Sequence, residues 1–189
     1  MAQPGNRRRA PRAWFALTGT PGCGKSAAAA RLGPGVAVEE VAALAVRLGT
    51  ARRLRHGVEV DLARTAARFR RRGPPGVVVG HLAHLLPIRN AIVLRCHPIE
   101  LDGRLRASGR FSRRQRAENV AAEALDLILA ESRSRRRRIW EVDTSGRSPA
   151  GVGRALGRIV AGDVPPTGPS GVDWLADPAV TEYLLRPAP

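Results

Sequence analysis

Short apolar runs alternate along this chain with longer segments in which apolar residues recur every three or four positions. The short runs predict β-strands at residues 14–18, 36–38, 77–79, 91–95 and 139–142. The longer segments predict amphipathic helices at residues 27–32, 39–48, 58–72, 98–107, 117–131 and 149–160. Strands that are apolar throughout are typical of a sheet covered on both faces. The pattern therefore predicts an α/β fold with a five-stranded parallel sheet and helices on both faces.

The first predicted strand leads directly into the sequence Gly-Thr-Pro-Gly-Cys-Gly-Lys-Ser at residues 19–26. This segment matches the phosphate-loop pattern G-x-x-x-x-G-K-[ST], and the strand before it and the helix after it are the context that the pattern requires. Backbone N–H groups and the positive end of the helix dipole are expected to bind phosphate. We expect Lys25 to reach the β- and γ-phosphates of ATP and the Ser26 hydroxyl to bind the accompanying Mg²⁺.

Lys25 is the single lysine of the chain, and every other strongly basic residue is an arginine. The guanine-reading sequence Asn-Lys-x-Asp of GTPases is therefore absent. A small kinase fits the length of 189 residues better. Such a kinase needs mobile arginines that close over the transferred phosphoryl group and exclude water.

A loop dense in arginine, predicted at residues 108–116, could provide this lid. The candidate lid residues are Arg104, Arg110, Arg113, Arg114 and Arg116. Arg110 is the preferred candidate because Gly109 gives it local freedom, and Arg104 is the second choice. A solvated basic turn without a catalytic role is the alternative.

Charge and composition bear on partners and on location. The net charge of +16 favours polyanions such as nucleotides or RNA, although a coding bias toward arginine on solvated faces would also produce it. Two cysteines do not form a disulfide framework, no apolar run reaches the length of a membrane span, and no secretory signal begins the chain. We therefore expect a cytoplasmic protein without a membrane partner. Breaks in composition suggest a disordered basic arm at 1–13, a kinase domain at 14–161 and a Pro-rich linker and tail at 162–189.

Several segments occur in an order that resembles the archaeal "putative adenylate kinase" family, which is related to the eukaryotic nuclear adenylate kinase isoenzyme six. These segments are residues 17–26, 80–87, 93–96, 104–105, 118–126 and 141–144. The most specific are Gly-His-Leu-Ala-His-Leu-Leu-Pro at 80–87 and Glu-Asn-Val-Ala-Ala-Glu-Ala-Leu-Asp at 118–126.

The resemblance implies a nucleoside monophosphate kinase with a small helical lobe for AMP at about 43–65 and a short lid at about 109–119. It implies the reaction ATP + AMP ⇌ 2 ADP, with Mg²⁺ bound to ATP, and a secondary ATPase activity. It also implies a role in small ribosomal subunit and rRNA maturation, with a small-subunit ribosomal protein and pre-ribosomal RNA as partners. The residues implied to bind nucleotide are Gly22, Gly24, Lys25, Ser26, Ala27, the lid residue Arg110 and, beside the adenine, Arg147.

Two positions depart from the family pattern. The family lid has Arg-Gly followed by an aromatic residue, whereas residues 108–111 here are Ser-Gly-Arg-Phe. The eukaryotic relatives carry an aspartate where Gly80 stands, and His81 or His84 could replace it or could be structural histidines.

Three hypotheses follow. The chain is an adenylate kinase, or an ATP-dependent ribosome assembly factor whose kinase activity is incidental, or a kinase for another small acceptor.

Overall fold

The computed structural model describes residues 11, 13–55, 57–69, 75–135, 138–167 and 171–185. The strands are β1 (Phe15–Gly19), β2 (Ala37–Glu40), β3 (Ala51–Leu54), β4 (Gly57–Val60), β5 (Gly76–Val79), β6 (Asn90–Arg95) and β7 (Arg138–Asp143). The helices are α1 (Lys25–Ala29), α2 (Val41–Arg47), α3 (Leu62–Arg68), α4 (Pro98–Ser108), α5 (Arg113–Ala124), α6 (Leu127–Ser134), α7 (Pro149–Ala161) and α8 (Pro178–Leu185), with 3-10 turns at Ala83–Leu85 and Trp174–Ala176. Apart from Pro11 and Ala13, the predicted basic arm lies outside the described residues.

Five parallel strands form the central sheet in the order β2-β5-β1-β6-β7, which confirms the predicted fold class. Every residue of β1, β5 and β6 is buried. Side chains of α1, α4 and α7 cover one face, and those of α2 and α6 cover the other. This double cover explains why the strands read as apolar throughout. Within the part of the chain that the structure describes, no helix is long and apolar enough to cross a membrane.

The lobe between β2 and β5 contains a β-hairpin that the sequence analysis missed. Strands β3 and β4 pair antiparallel at residues for which a connection and the first turn of a helix were predicted. That prediction is wrong because Val58 and Val60 alternate with Glu59, which pairs with Arg52 across the hairpin. The helix α3 begins only after Asp61, whose side chain accepts a hydrogen bond from the backbone of Arg64.

The helix predicted at 117–131 is two helices, and the first begins earlier than expected. Ser112 and Gln115 form a capping box that starts α5 at Arg113, so the arginine loop is only four residues long, at 109–112. Asp126 interrupts the helix with a φ of 55°, and its side chain pairs with the buried guanidinium of Arg95. The tertiary ion pair thus overrides a continuous helical pattern.

Helix α7 packs closely on α1 because it carries glycine at the contact. A Cβ atom at Gly153 would lie 2.4 Å from Cβ of Arg31 and 3.1 Å from the carbonyl oxygen of Ala28. Gly103, on α4, has no atom within 4 Å of the corresponding position. The two helical glycines therefore differ in packing although both lie inside helices.

We expect Gly153→Ala to lower the thermal unfolding midpoint, because the added methyl group must push α7 away from α1. Overpacking of this kind costs about 1–3 kcal/mol, which corresponds to roughly 3–10 °C for a chain of this size. Differential scanning calorimetry measures the change. Gly103→Ala is the matched control and is expected to raise the midpoint slightly, because alanine is better than glycine in a helix by up to about 1 kcal/mol. Equal effects of the two substitutions would contradict the packing argument.

Candidate functional site

The phosphate loop connects β1 to α1 at the carboxyl edge of the sheet. Gly19 has a φ of 135°, and a Cβ atom there would lie 2.4 Å from the carbonyl oxygen of Leu94. Gly22 has a φ of 93°, and a Cβ atom there would lie 2.8 Å from side-chain atoms of Leu101 and Leu105 on α4. Glycine at both positions lets the loop bend tightly while β6 and α4 pack against it.

Lys25 is the first residue of α1, and its side chain folds back over the loop. Its Nζ donates hydrogen bonds to the carbonyl oxygens of Gly19 (2.8 Å) and Thr20 (2.9 Å). Burial lowers the pKa of Lys25, and the nearby Glu123 and Glu40 oppose that shift. Because an ammonium group has three donors, one remains for the oxygen of a bound phosphate.

Ser26 contacts a carboxylate that the sequence analysis did not identify. Its Oγ donates a 2.8 Å hydrogen bond to Oε1 of Glu40. Glu40 ends β2, which pairs with β5 so that Glu40 lies opposite Val79. The signal that could have found it is the pair of glutamates, Glu39 and Glu40, that follows the predicted strand at 36–38, since parallel strands end at the edge where the ligand binds.

The same geometry explains why Gly80 carries no side chain. A Cβ atom at Gly80 would lie 2.8 Å from Cγ2 of Val41, the first residue of α2. The place next to the end of β5 is therefore occupied by α2, and the carboxylate beside Ser26 comes from the neighbouring strand instead.

The pair of Ser26 and Glu40 fits a magnesium ion that arrives with a nucleotide. Both atoms are oxygens, which are the ligands that Mg²⁺ prefers, and this ion commonly takes one or two protein oxygens together with substrate phosphates. Among the described residues, no group of three or more His, Cys, Asp and Glu side chains could hold a metal by itself. The donor set therefore suits Mg²⁺ bound to a nucleotide rather than a resident ion in a protein cage.

A cavity of about 350 Å³ opens beside the phosphate loop. Its wall brings together Gly22 and Gly24 of the loop, Arg104 of α4, and Arg147 from the loop after β7. Pro149, Val152 and Ala28 add an apolar side. Such a combination of a phosphate cradle, two guanidinium groups and an apolar wall is suited to a nucleotide.

Arg104 and Arg147 are both held by backbone carbonyls. Arg104 Nη2 donates to the carbonyl oxygen of Thr144 (2.8 Å) and pairs with Glu100 at 2.6 Å. Arg147 Nη1 donates to the carbonyl oxygen of Asp143 at 3.0 Å. Arg147 was expected near the adenine, and it lines the same cavity as the glycine loop.

Two other predicted site residues lie outside the cavity wall. Ala27 is an exposed residue of α1, next to Ser26. Arg110 is exposed and follows Gly109, which ends α4 with a φ of 64°. Of the two lid candidates that were ranked first and second, the structure brings Arg104 to the phosphate loop and leaves Arg110 in the short connection to α5.

The two histidines after Gly80 have different environments. His84 is buried, with Nδ1 2.9 Å from Oγ1 of Thr18 and Nε2 2.7 Å from Oε2 of Glu131, which identifies it as a structural residue. His81 is exposed at the surface, and partial desolvation of its ring, followed by the charge of Lys25, lowers the pKa of that ring.

Glu123 is a further residue of the site that the sequence analysis did not single out. It is buried, and its Oε2 accepts a 2.5 Å hydrogen bond from the Thr20 hydroxyl in the phosphate loop. Its Oε1 accepts from Arg95 Nε at 2.8 Å and from the backbone N–H of Cys96 at 3.0 Å. Glu123 lies in the segment 118–126, which could have indicated its role. That segment was identified only as part of the family pattern.

Comparison with known proteins agrees with this geometry. A family model described as an AAA domain matches residues 16–126, which include the phosphate loop, β6 and α5. A protein of Archaeoglobus fulgidus named "Putative adenylate kinase" is 40% identical over 168 residues, which cover 86% of this chain and 92% of that protein.

Proteins with the same name from two other archaea are also similar. The one from Thermococcus onnurineus is 37% identical over 142 residues, or 73% of this chain and 78% of the relative. The one from Halobacterium salinarum is 38% identical over 161 residues, or 80% of this chain and 92% of the relative.

We expect Glu40→Gln to weaken the binding of Mg·ATP about 10- to 100-fold, because a neutral amide is a poor partner for the cation beside Ser26. Affinity for ATP measured with EDTA should change little. Isothermal titration calorimetry with and without Mg²⁺ separates the two effects. Glu39→Gln is the matched control, since Glu39 lies on the same strand but pairs with Arg47 at 2.7 Å. The assignment fails if the two variants bind Mg·ATP equally well.

Proposed function

The chain belongs to the family of archaeal proteins named putative adenylate kinases, and from this premise we propose that it transfers the γ-phosphoryl group of Mg·ATP to AMP. The family and the phosphate loop support a nucleotide-binding kinase in general terms. The observation that carries the proposal is the cavity in which the glycine loop, Arg104 and Arg147 meet beside Lys25.

The phosphate loop and its neighbours form the proposed binding site for the phosphoryl donor, ATP. The loop amides and Lys25 would hold the phosphates of ATP, while Ser26 and Glu40 would hold its Mg²⁺. The adenine would lie against Val152 and Pro149, with Arg147 at its edge. When bound, Mg²⁺ supplies charge neutralisation at the phosphate oxygens.

The lobe that contains the hairpin forms the proposed binding site for the phosphoryl acceptor, AMP. A polar cavity of about 390 Å³ lies between β3, β4 and the start of α3, and its lining includes Arg52, Arg64, Glu59 and Asp61. Guanidinium groups suit the phosphate of AMP, and carboxylates suit hydroxyl or amino donors of a nucleoside. We propose that the lobe at about 43–65 receives AMP there.

The transfer needs no base from the protein. An oxygen of the AMP phosphate is already anionic and forms the new bond to the γ-phosphorus, while the bond from that phosphorus to the β,γ-bridging oxygen breaks. Two ADP molecules result, and the protein's task is to align the groups and stabilise the charge on the equatorial oxygens. Arg104 and a closing Arg110 are the proposed cationic groups.

A second candidate, an ATP-dependent assembly factor for the small ribosomal subunit, is supported by the net charge of +16. A small-subunit ribosomal protein and pre-ribosomal RNA would then be partners, and ATP hydrolysis would be the relevant reaction. Co-sedimentation with small-subunit precursors over a series of salt concentrations tests it. A complete lack of association at low salt, where phosphate contacts are strongest, excludes this candidate.

A panel of acceptors tests the kinase proposal. With Mg·ATP present, ADP formation should rise on addition of AMP and should rise less with CMP, UMP or GMP. Lys25→Ala should lower kcat/KM at least about 1,000-fold, because the charge that stabilises the transferred phosphoryl group is lost. A coupled pyruvate kinase–lactate dehydrogenase assay measures both quantities. If AMP adds nothing to the rate with ATP alone, the adenylate kinase proposal is wrong, and preference for another monophosphate would indicate a different acceptor.

The two lid candidates predict different kinetic effects. We expect Arg104→Ala to raise KM for ATP about tenfold, since Arg104 lines the nucleotide cavity before any closure. Arg110→Ala should instead lower kcat about tenfold or more with little change in KM, because its charge would act only in the closed state. Arg114→Ala is the control, since Arg114 is 90% exposed and pairs with Glu118 on its own helix. An Arg110→Ala enzyme with the kinetics of the control would remove Arg110 from the lid.

A further inference from the structure

The segment after the linker lies against α4 and the carboxyl end of β6. Val180 of α8 is fully buried, and Tyr183 packs on the main core and hydrogen-bonds Asp102 of α4. Burial and that hydrogen bond raise the pKa of the Tyr183 hydroxyl. The segment at 171–185 is therefore docked through specific contacts, and we call it the C-terminal strap.

Trp174 is the residue of the C-terminal strap that contacts Arg95 and Glu123. Its ring centroid is 5.8 Å from the Arg95 guanidinium carbon and 5.2 Å from the centroid of the His97 ring, edge to face. His97 Nε2 in turn lies 3.1 Å from Oδ2 of Asp177, and this contact lowers the pKa of the Asp177 carboxyl. The indole ring of Trp174 is thus held between the guanidinium of Arg95 and the ring of His97.

The indole N–H of Trp174 reaches the carboxylate that anchors the phosphate loop. Trp174 Nε1 donates to Oε1 of Glu123 at 3.3 Å, and the other oxygen of this carboxylate accepts from the hydroxyl of Thr20 at 2.5 Å. The carbonyl oxygen of Thr20 accepts from Lys25 Nζ at 2.9 Å. A continuous series of hydrogen bonds therefore joins the C-terminal strap to the lysine that is expected to bind phosphate.

We propose that the C-terminal strap positions the phosphate loop for nucleotide binding, with Glu123 as the positioning residue and Trp174 as the contact that fixes its orientation. Glu123 accepts hydrogen bonds from strand, strap and loop at once, so loss of one donor changes the position that the carboxylate can hold. A bound phosphate would accept from the remaining donor of Lys25, and the bond from Lys25 to the Thr20 carbonyl would carry that change through Glu123 to Trp174. This inference rests on the proposed binding of ATP at the loop.

Trp174→Phe in the full chain tests the proposal, because it removes the N–H donor while an aromatic ring still packs against His97. We expect the Kd for Mg·ATP to rise about 3- to 10-fold, which is less than the full loss of a hydrogen bond to a charged group because Glu123 keeps its other donors. The KM for AMP should stay within error of the wild type, and the thermal unfolding midpoint should fall by only a few degrees. A residue with only a structural role would lower the unfolding midpoint and leave the Kd for Mg·ATP unchanged.

Fluorescence gives a readout that does not depend on activity. Addition of Mg·ATP should change the tryptophan emission of the wild type, and this change should disappear in Trp174→Phe. Trp14→Phe is the matched control and should retain it, since Trp14 stacks edge to face on Phe69 at 5.7 Å in the other core cluster. A change that persists in Trp174→Phe and is lost in Trp14→Phe would overturn the proposal.

A double-mutant cycle with Thr20→Val tests whether the two ends act through Glu123. Thr20→Val removes the hydroxyl that Glu123 binds, so the two substitutions together should raise the Kd for Mg·ATP less than the product of their separate effects. Independent effects, or an unchanged Kd in Trp174→Phe, would overturn the positioning role while ATP binding stands. Failure of the wild type to bind Mg·ATP would overturn this inference together with the proposed function.

Discussion

The structure depends on one buried guanidinium group. Arg95 ends the strand β6 and is 1% exposed, and its side chain pairs with three carboxylates, those of Glu123, Asp126 and Glu141. Removal of one partner from a buried pair typically costs about 3–5 kcal/mol, because the other charge is left without compensation. The requirement to neutralise Arg95 therefore fixes where α5 ends, where α6 begins and how β7 lies beside β6.

This charge cluster also determines the shape of the phosphate site. Arg95 holds one oxygen of the buried Glu123 carboxylate at 2.8 Å, and the other oxygen accepts from the hydroxyl of Thr20 in the phosphate loop. The burial that lowers the pKa of Lys25 is opposed in part by the negative charge of Glu123. Structural and nucleotide-binding charges are thus coupled, since the same carboxylate faces both.

Elements that local sequence preference and tertiary packing both favour could be predicted from the sequence. The strands were predictable because burial on both faces makes every residue apolar, and the phosphate loop was predictable because its glycines and Lys25 have no substitute. The hairpin was not, since β3 contains two exposed arginines and the alternation of Val58, Glu59 and Val60 in β4 is too short to exclude a helix. The break at Asp126 was not either, because it is caused by Arg95, about 30 positions away in the chain. Glu40 was missed because the position of β2 beside β5 was not known, and Arg104 was ranked behind Arg110 because the packing of α4 against the loop was not known.

The position of the carboxylates bears on the choice between transfer and hydrolysis. Hydrolysis requires a group that orients a water molecule, whereas an AMP phosphate oxygen attacks without deprotonation. Here β5 is followed by Gly80, where a Cβ atom would lie 2.8 Å from Cγ2 of Val41, and Glu40 accepts from the hydroxyl of Ser26. His84 is engaged by Thr18 and Glu131 in the core. The engagement of Glu40 beside Ser26 is the arrangement on which our proposal of transfer to a bound acceptor, rather than attack by water, depends.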